Sequence, residues 1–266
     1  MEKNLIFFGI SDTGLKRKNN EDHFIVADLN RKLIGVEDNT VFSNLICHNI
    51  GEKGTVLAVA DGLGGHENGD IASAIAVEST IKSLFAIPTD TPIKKRLSLA
   101  IERAHYDIKN KSLSMQNCQK MCSTLTIAHI DKTTMTIAQI GDSRAYSYNN
   151  GKLVRLTEDQ TLISALVNNG VLTEEQSKNH PSKHIVLQAL GQEEDIVPTF
   201  YSSQLKPNSY ILLCTDGLSS YVCDDTIEMI LSSGEDENLL CQRLINCAND
   251  AGGIDNITVL IASLKG

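Results

Sequence analysis

No apolar run in this chain of 266 residues approaches the roughly 18 that a membrane-spanning helix requires. The N-terminal apolar stretch, Leu5 to Ile10, is too short for the core of a signal peptide, so a cytoplasmic protein is expected. Basic residues are scarce as well: 24 Lys and Arg face 33 Asp and Glu, for a net charge of −9 and a pI near 5.3. That balance argues against a protein that grips nucleic-acid phosphates through clustered Lys and Arg. It suits a site that offsets part of its acid excess with bound cations. The seven cysteines, at 47, 118, 122, 214, 223, 241 and 247, never form Cys-x-x-Cys, and His-Glu-x-x-His does not occur, so zinc-binding patterns are absent. Several cysteines lie in apolar strands or on helix faces, where a reduced thiol acts as a small core residue. A reducing compartment is expected.

What is present is 41% hydrophobic residues, enough for a substantial soluble core. Short continuous apolar runs predict strands at Leu5–Ile10, His23–Asp28, Thr55–Asp61, Ser123–Ile130, Met135–Ile140, Ala145–Tyr148, Lys152–Leu156, Ser209–Thr215 and Asn256–Ala262. Asn149-Asn150-Gly151 is a hairpin signal, because Asn-Gly suits the positive φ of a tight turn. Helical periodicity covers about Gly69–Phe85, Ile93–Ser114, Thr161–Asn169, Asp224–Ser232 and Glu237–Ala251. Strands at both ends of the map with two groups of helices predict an α+β fold in which β-sheets pack together and helices cover the outside. With no repeat or linker, one domain spanning 1–266 is expected. Residues about 30–54 read as an irregular excursion or extra hairpin, and the polar stretch 158–190 as a mobile surface subdomain.

The acidic residues sit where the strands begin and end. Val56-Leu57-Ala58-Val59-Ala60 runs into Asp61, followed by Gly62, Gly64 and Gly65, which let backbone turn sharply and approach a ligand. Asp216 follows Tyr210-Ile211-Leu212-Leu213-Cys214-Thr215, and Asp142 follows Met135–Ile140 and Gly141. Asp22 and Asp255 precede strands instead. In an antiparallel sheet the start of one strand and the end of its neighbour share an edge, so five carboxylates can meet at one rim. Such a cluster repels itself unless a cation joins it. All-oxygen ligands suit Mg²⁺, Mn²⁺ or Ca²⁺. Two ions about 3.5–4 Å apart can activate a water for in-line attack on phosphorus. Arg17, four residues before Glu21, offers a guanidinium that can hold two phosphate oxygens. Taken singly, each Asp-Gly is an ordinary turn and Arg17 ordinary surface charge; the order in which they occur together is not ordinary.

That order resembles the metal-dependent protein phosphatases, the type 2C serine/threonine family, in its compact bacterial form. The matching segments are Asp-x-Gly-x-x-Arg-x-x-Asn-Glu-Asp (12–22), Asp-Gly-Leu-Gly-Gly-His (61–66), Ser-Thr-Leu (123–125), Gly-Asp-Ser-Arg-Ala-Tyr (141–146), Leu-Thr-Glu-Asp (156–159), the His-Pro to Ala-Leu-Gly stretch (180–191), Thr-Asp-Gly-Leu (215–218) and Asp-Asn-Ile-Thr-Val (255–259). The resemblance implies a central antiparallel β-sandwich flanked by helices, with the site in a cleft at one end. It implies that Asp61 bridges two Mn²⁺ or Mg²⁺ ions and that the Gly62 carbonyl joins one of them. Asp216 and Asp255 bind the other, while Glu21 and Asp22 act directly or through water. Asp142, with Asp216, matches the position that holds a third metal in bacterial members. Arg17 binds the substrate phosphate, and 158–190 is the flap that influences substrate choice. Phosphoprotein substrates, those of a serine/threonine kinase, are implied, and an acidic compact chain is consistent with a monomer.

Three positions depart from the pattern. Animal members carry a histidine, proposed as general acid, where this chain has Leu63, so the acid here must differ; a metal-bound water is one candidate, and nearby His66 reads as lining a loop or capping a helix. Gln160-Thr161 replaces a frequent His-Ser and is expected to alter the flap without touching the metals. The 30–54 connection is longer than usual for bacterial members. Other phosphate-handling classes fail on the residues: six positions beyond the cysteines stand Lys, Thr, Ala, Ser, Met, Cys and Gly, so Cys-x₅-Arg never occurs, nor does Gly-Lys-Ser/Thr. Two alternatives keep the fold: a non-catalytic binding module, and a phosphatase of a small phosphorylated metabolite.

Overall fold

The computed structural model describes residues 4–36, 46–63, 68–115, 121–132, 134–178, 180–182 and 184–265. In chain order the elements are β1 (Asn4–Asp12), β2 (Asp22–Asp28), β3 (Leu33–Val36), β4 (Ile46–Asn49), β5 (Thr55–Leu63), α1 (Gly69–Ala86), α2 (Ile93–Ser114), β6 (Cys122–Ser123), β7 (Leu125–Asp131), β8 (Thr134–Ile140), β9 (Arg144–Asn149), β10 (Lys152–Arg155), α3 (Leu162–Asn168), α4 (Glu174–Lys178), β11 (Thr199–Gln204), β12 (Tyr210–Cys214), α5 (Asp216–Ser219), α6 (Asp224–Leu231), α7 (Glu237–Asp250) and β13 (Ile257–Lys265). Two antiparallel sheets stack face to face. One runs β10-β9-β12-β13-β1-β4 and the other β11-β8-β7-β5-β2-β3.

The unbroken apolar runs follow from this layering, because the central strands are covered on both faces. In β5, Leu57 and Val59 face the core between the sheets, while Val56, Ala58 and Ala60 face the layer formed by α1 and α2. In β2 the same alternation sends Phe24 and Val26 inward and Ile25 and Ala27 toward the helices. Small residues on both sides, Ala58 and Ala60 against Ala72 and Ala76, suit α1 to lie close on the sheet. On the opposite side α6 and α7 cover the first sheet with Ile227, Ile230, Leu240, Leu244 and Ala248. The layers are therefore α–β–β–α, as expected.

The local differences have physical causes. The run 123–130 is not one strand but breaks at Thr124 between β6 and β7. There the Thr124 N–H donates to the Asp61 carbonyl at 2.8 Å, and its Oγ1 accepts from the Asp61 N–H at 2.9 Å. In the 30–54 connection β3 folds back on β2 as a hairpin while β4 pairs with β1 in the other sheet, and residues 37–45 lie outside the described residues. β11 was not expected, because Thr199–Gln204 is a polar, half-exposed edge strand without a doubly covered apolar run. The Asn149–Gly151 hairpin forms as expected, with Asn150 at φ 52° and Gly151 at φ 77°.

Candidate functional site

The five aspartates come from both sheets and converge at one end of the sandwich. Asp22 opens β2 directly opposite Asp61 near the end of β5. Asp142 follows β8, which runs in the same direction as β5, so both acids leave the same edge of that sheet. In the facing sheet, β12 ends two residues before Asp216 and β13 begins two residues after Asp255, again at a shared edge. Thr215 and Thr258, one from each of these strands' ends, donate their hydroxyls to Asp22 Oδ2 at 2.7 and 2.8 Å. These two bonds stitch the sheets together at the site. Asp61, Gly62, Asp142, Asp216 and Asp255 line one cleft of about 380 Å³ together with Arg17 and Glu21.

Asn256 organises the loop that carries Arg17 and Glu21. Its Nδ2 donates to the carbonyls of Thr13 and Asn19, both at 2.9 Å, and its Oδ1 accepts from the Glu21 N–H at 2.8 Å. The Glu21 carbonyl in turn accepts from the Gly62 N–H at 3.0 Å. Arg17 reaches across the cleft and donates from Nη2 to Asp255 Oδ2 at 2.8 Å. A Cβ on Gly69, the first residue of α1, would stand 2.5 Å from Glu21 Oε2 and 2.8 Å from the Gly62 carbonyl oxygen. That missing side chain leaves a carboxylate and a carbonyl facing the same space.

The electrostatics reflect crowding of like charges. Burial pushes the Asp22 carboxyl up to about 7, with Asp255 and Glu21 adding to the rise against the two threonine bonds. Burial holds Asp61 and Asp216 well above the usual carboxylate range; Asp22, then Asp216, add to the rise at Asp61, and Asp142, then Asp255 and Asp22, to that at Asp216. Burial, then Asp159, raises Asp142 to about 6.

The stretch 158–190 is fastened to this rim. Arg144, two residues beyond Asp142, holds Asp159 through two bonds of 2.9 and 2.7 Å, and its Nη1 donates to the Tyr146 hydroxyl and the Ser219 carbonyl at 3.1 and 3.3 Å. Arg155 binds the same Asp159. Gln160 exchanges two bonds with Gly141, at 3.1 Å from its own N–H and 2.9 Å into its Oε1. The Gln160 departure therefore reaches the loop of Asp142. Thr161 caps α3 by accepting from the Ser164 N–H at 3.2 Å.

A model of the family described as protein phosphatase 2C matches residues 43–255. This chain belongs to that family. It is 31% identical over 262 residues to protein phosphatase PhpP of Streptococcus pneumoniae, covering 96% of both chains. It is 36% identical over 209 residues to the serine/threonine phosphatase stp of Listeria monocytogenes, covering 77% of this chain and 83% of the other. Among solved structures, the catalytic domain of serine/threonine protein phosphatase PstP in complex with two manganese ions superposes with a TM-score of 0.79 at 28% identity, covering 99% of this chain and 100% of that one.

Whether this type 2C phosphatase offers a fitting bed for divalent cations rests on its own donors. The set is all oxygen, the preference of hard cations. Asp22 Oδ1 and Asp216 Oδ1 are buried with no hydrogen-bond partner, which is costly unless something else pairs with them. Among the described residues no three His, Cys, Asp or Glu side chains are already gathered about one point as ligands. Repulsion and competing partners account for that: Asp22 Oδ2 rests on its threonines and Asp255 on Arg17. The donors fit.

Sequence reasoning missed Thr215, Thr258, Asn256 and Gly69 as parts of the site. The first three lie inside the matching motifs, where a hydroxyl or amide flanking a strand-end acid is the available signal. His66 lies outside the described residues.

The raised carboxyls give a pH dependence with a definite sign. Asp22 binds more protons folded than unfolded between about 4 and about 7, so stability of the metal-free phosphatase falls as pH rises through that window. Thermal melts in EDTA should show a lower Tm at pH 8 than at pH 5, about the two sides of that window, and Mn²⁺ should reverse the decline. An EDTA melt that rises across the window contradicts this electrostatic account.

Proposed function

We propose that the chain is a metal-dependent protein serine/threonine phosphatase whose whole length forms one catalytic domain, with 158–190 as its flap. The observation that carries the reading is the convergence of Asp61, Asp142, Asp216 and Asp255 with Arg17 in one cleft. Asp61 would bridge two ions, with the Gly62 carbonyl serving one and Asp216 and Asp255 the other, and Glu21 and Asp22 acting directly or through water; Asp142 and Asp216 would hold a third. Mn²⁺ or Mg²⁺ bound there supplies charge neutralisation and an activated solvent nucleophile. Arg17 presents a guanidinium that clamps two phosphate oxygens and fixes phosphorus for in-line attack. For Arg17 to do so it must exchange Asp255 for the substrate, and its side chain is half-exposed.

We infer that the substrates are phosphoproteins made by a serine/threonine kinase and that the chain acts as a cytoplasmic monomer. The free thiols of Cys122, Cys214, Cys223, Cys241 and Cys247 support a reducing compartment.

The test is Mn²⁺-dependent release of phosphate from phosphoserine and phosphothreonine peptides. Arg17→Ala should raise KM by roughly 10-fold or more with a smaller loss in kcat, because a charge-assisted clamp to phosphate contributes about 1.5–3 kcal/mol. Preference for phosphotyrosine or for a small phosphorylated metabolite overturns the protein-substrate reading. Metal binding without turnover on any phosphoester identifies a binding module instead.

A further inference from the structure

Hydrolysis of a serine or threonine phosphoester, on the reading above, expels an alkoxide that must gain a proton as its bond to phosphorus breaks. The cleft's carboxylates are assigned there as metal-binding anions, and Leu63, which also lines it, has no proton to give. Arg17 keeps its charge throughout. Two ionisable groups remain among the described lining residues: Tyr221 and His184. Burial, with Asp216 and Asp255 nearby, holds the Tyr221 hydroxyl above the usual phenol range, which makes it a reluctant donor. Histidine is the side chain suited by nature to giving and regaining a proton near neutral pH.

The position of His184 is built rather than incidental. Immediately after it, residues 185–187 pair with the flap root: Leu162 N–H donates to the Ile185 carbonyl and Leu187 N–H to the Gln160 carbonyl, both at 2.8 Å. Thr161 and Val186 form the antiparallel bridge between those bonds. A few residues on, Ser123 and Leu190 exchange backbone bonds of 3.0 and 2.8 Å. The Ser123 hydroxyl then donates to the Asp61 carbonyl at 3.1 Å. Through Gln160 the same segment is tied to Gly141, beside Asp142. His184 is thereby fixed relative to two of the acids that define the reaction centre. It lines both the metal cleft and the adjoining pocket of about 530 Å³, which the two share with Asp142, Asp216 and Tyr221. The His184 side chain is exposed at this junction, beside the acids of the cleft.

We propose that His184 is the proton donor to the departing serine or threonine oxygen. In the step, a water oxygen bonds to phosphorus and the bond from phosphorus to the side-chain oxygen breaks. Its electron pair goes to that oxygen, which takes the ring proton of His184 and leaves as a free hydroxyl. The proton lost by the attacking water passes to solvent, and solvent reprotonates the ring.

Leaving-group dependence tests this in the full chain with Mn²⁺. A phosphothreonine peptide needs the proton; p-nitrophenyl phosphate does not, because nitrophenolate leaves as a stable anion. His184→Gln should lower kcat on the peptide by roughly 10²-fold and on p-nitrophenyl phosphate far less. Added imidazole should restore peptide turnover in His184→Gly. Retained cleavage of the aryl ester also reports that the variant is folded and loaded. Equal losses on both substrates, or no loss on the peptide, overturn the proposal. So does a selective peptide loss in Tyr221→Phe or His66→Gln that His184→Gln fails to show. If the unaltered chain cleaves neither substrate, the phosphatase reading itself falls, and this assignment with it.

Discussion

Asp61→Asn should lower kcat by roughly 10³-fold or more on any phosphoester, with Asp216→Asn close behind. The substitution keeps size and shape, so the Asp61 backbone can retain its bonds with Thr124 and Ser123. What it removes is the charge that, on the proposed reading, bridges two cations. The same charge is a burden without metal, because burial, and then Asp22, Asp216, Asp142 and Asp255, press the Asp61 carboxyl toward its protonated form. The metal-free variant should therefore melt no lower than the parent near pH 8, and the Tm gain on adding Mn²⁺ should shrink. Activity and stability thus move apart, as expected when repelling groups are gathered for function. Near-parental turnover at unchanged metal demand would end the assignment of Asp61 as the bridging ligand.

Gly217→Ala should destabilise the fold by about 3 kcal/mol, from overpacking that neither side can absorb. An added Cβ would stand 1.9 Å from the Asn256 carbonyl oxygen and 2.8 Å from its carbon. Both sides of this contact are backbone, so α5 or the loop before β13 must move. Asp216 starts that helix and Asp255 lies in that loop, while Asn256 also holds Thr13, Asn19 and Glu21. One methyl group therefore disturbs acids from two elements and the Arg17 loop at once. Urea unfolding measures the cost, and turnover should fall with it. Gly234→Ala is the control: at φ 76° with open space around it, it should cost only about 1 kcal/mol of backbone strain. If Gly217→Ala unfolds at the parental midpoint, the close approach is not what fixes α5.

The central strands were legible because burial on both faces writes itself as unbroken apolar sequence, as in Val56–Ala60 and Ile211–Cys214. The carboxylates were legible because each interrupts or borders such a run, and a charge there demands a reason. β11 was not legible, since an edge strand with one open side has no apolar continuity to betray it. β3 and β4 escaped for another reason: each is only four residues long, too short to show an apolar run, although β3 turns straight back on β2 while β4 pairs with β1 in the other sheet. Thr215 and Thr258 read as ordinary β-branched strand residues. Only the stacking of the two sheets reveals that both hydroxyls turn toward Asp22.

By itself the sequence determined the family, the layered class of fold and the acids that matter, since each of these rests on residue type and spacing along one chain. The tertiary structure alone decided which groups stand together: Asp22 against the threonines of the facing sheet, Arg17 against Asp255, and His184 over the cleft from a segment more than 100 residues distant from Asp61 in number. Contacts of that kind depend on how sheets stack and where a loop is clamped, and neither leaves a periodic trace in the chain.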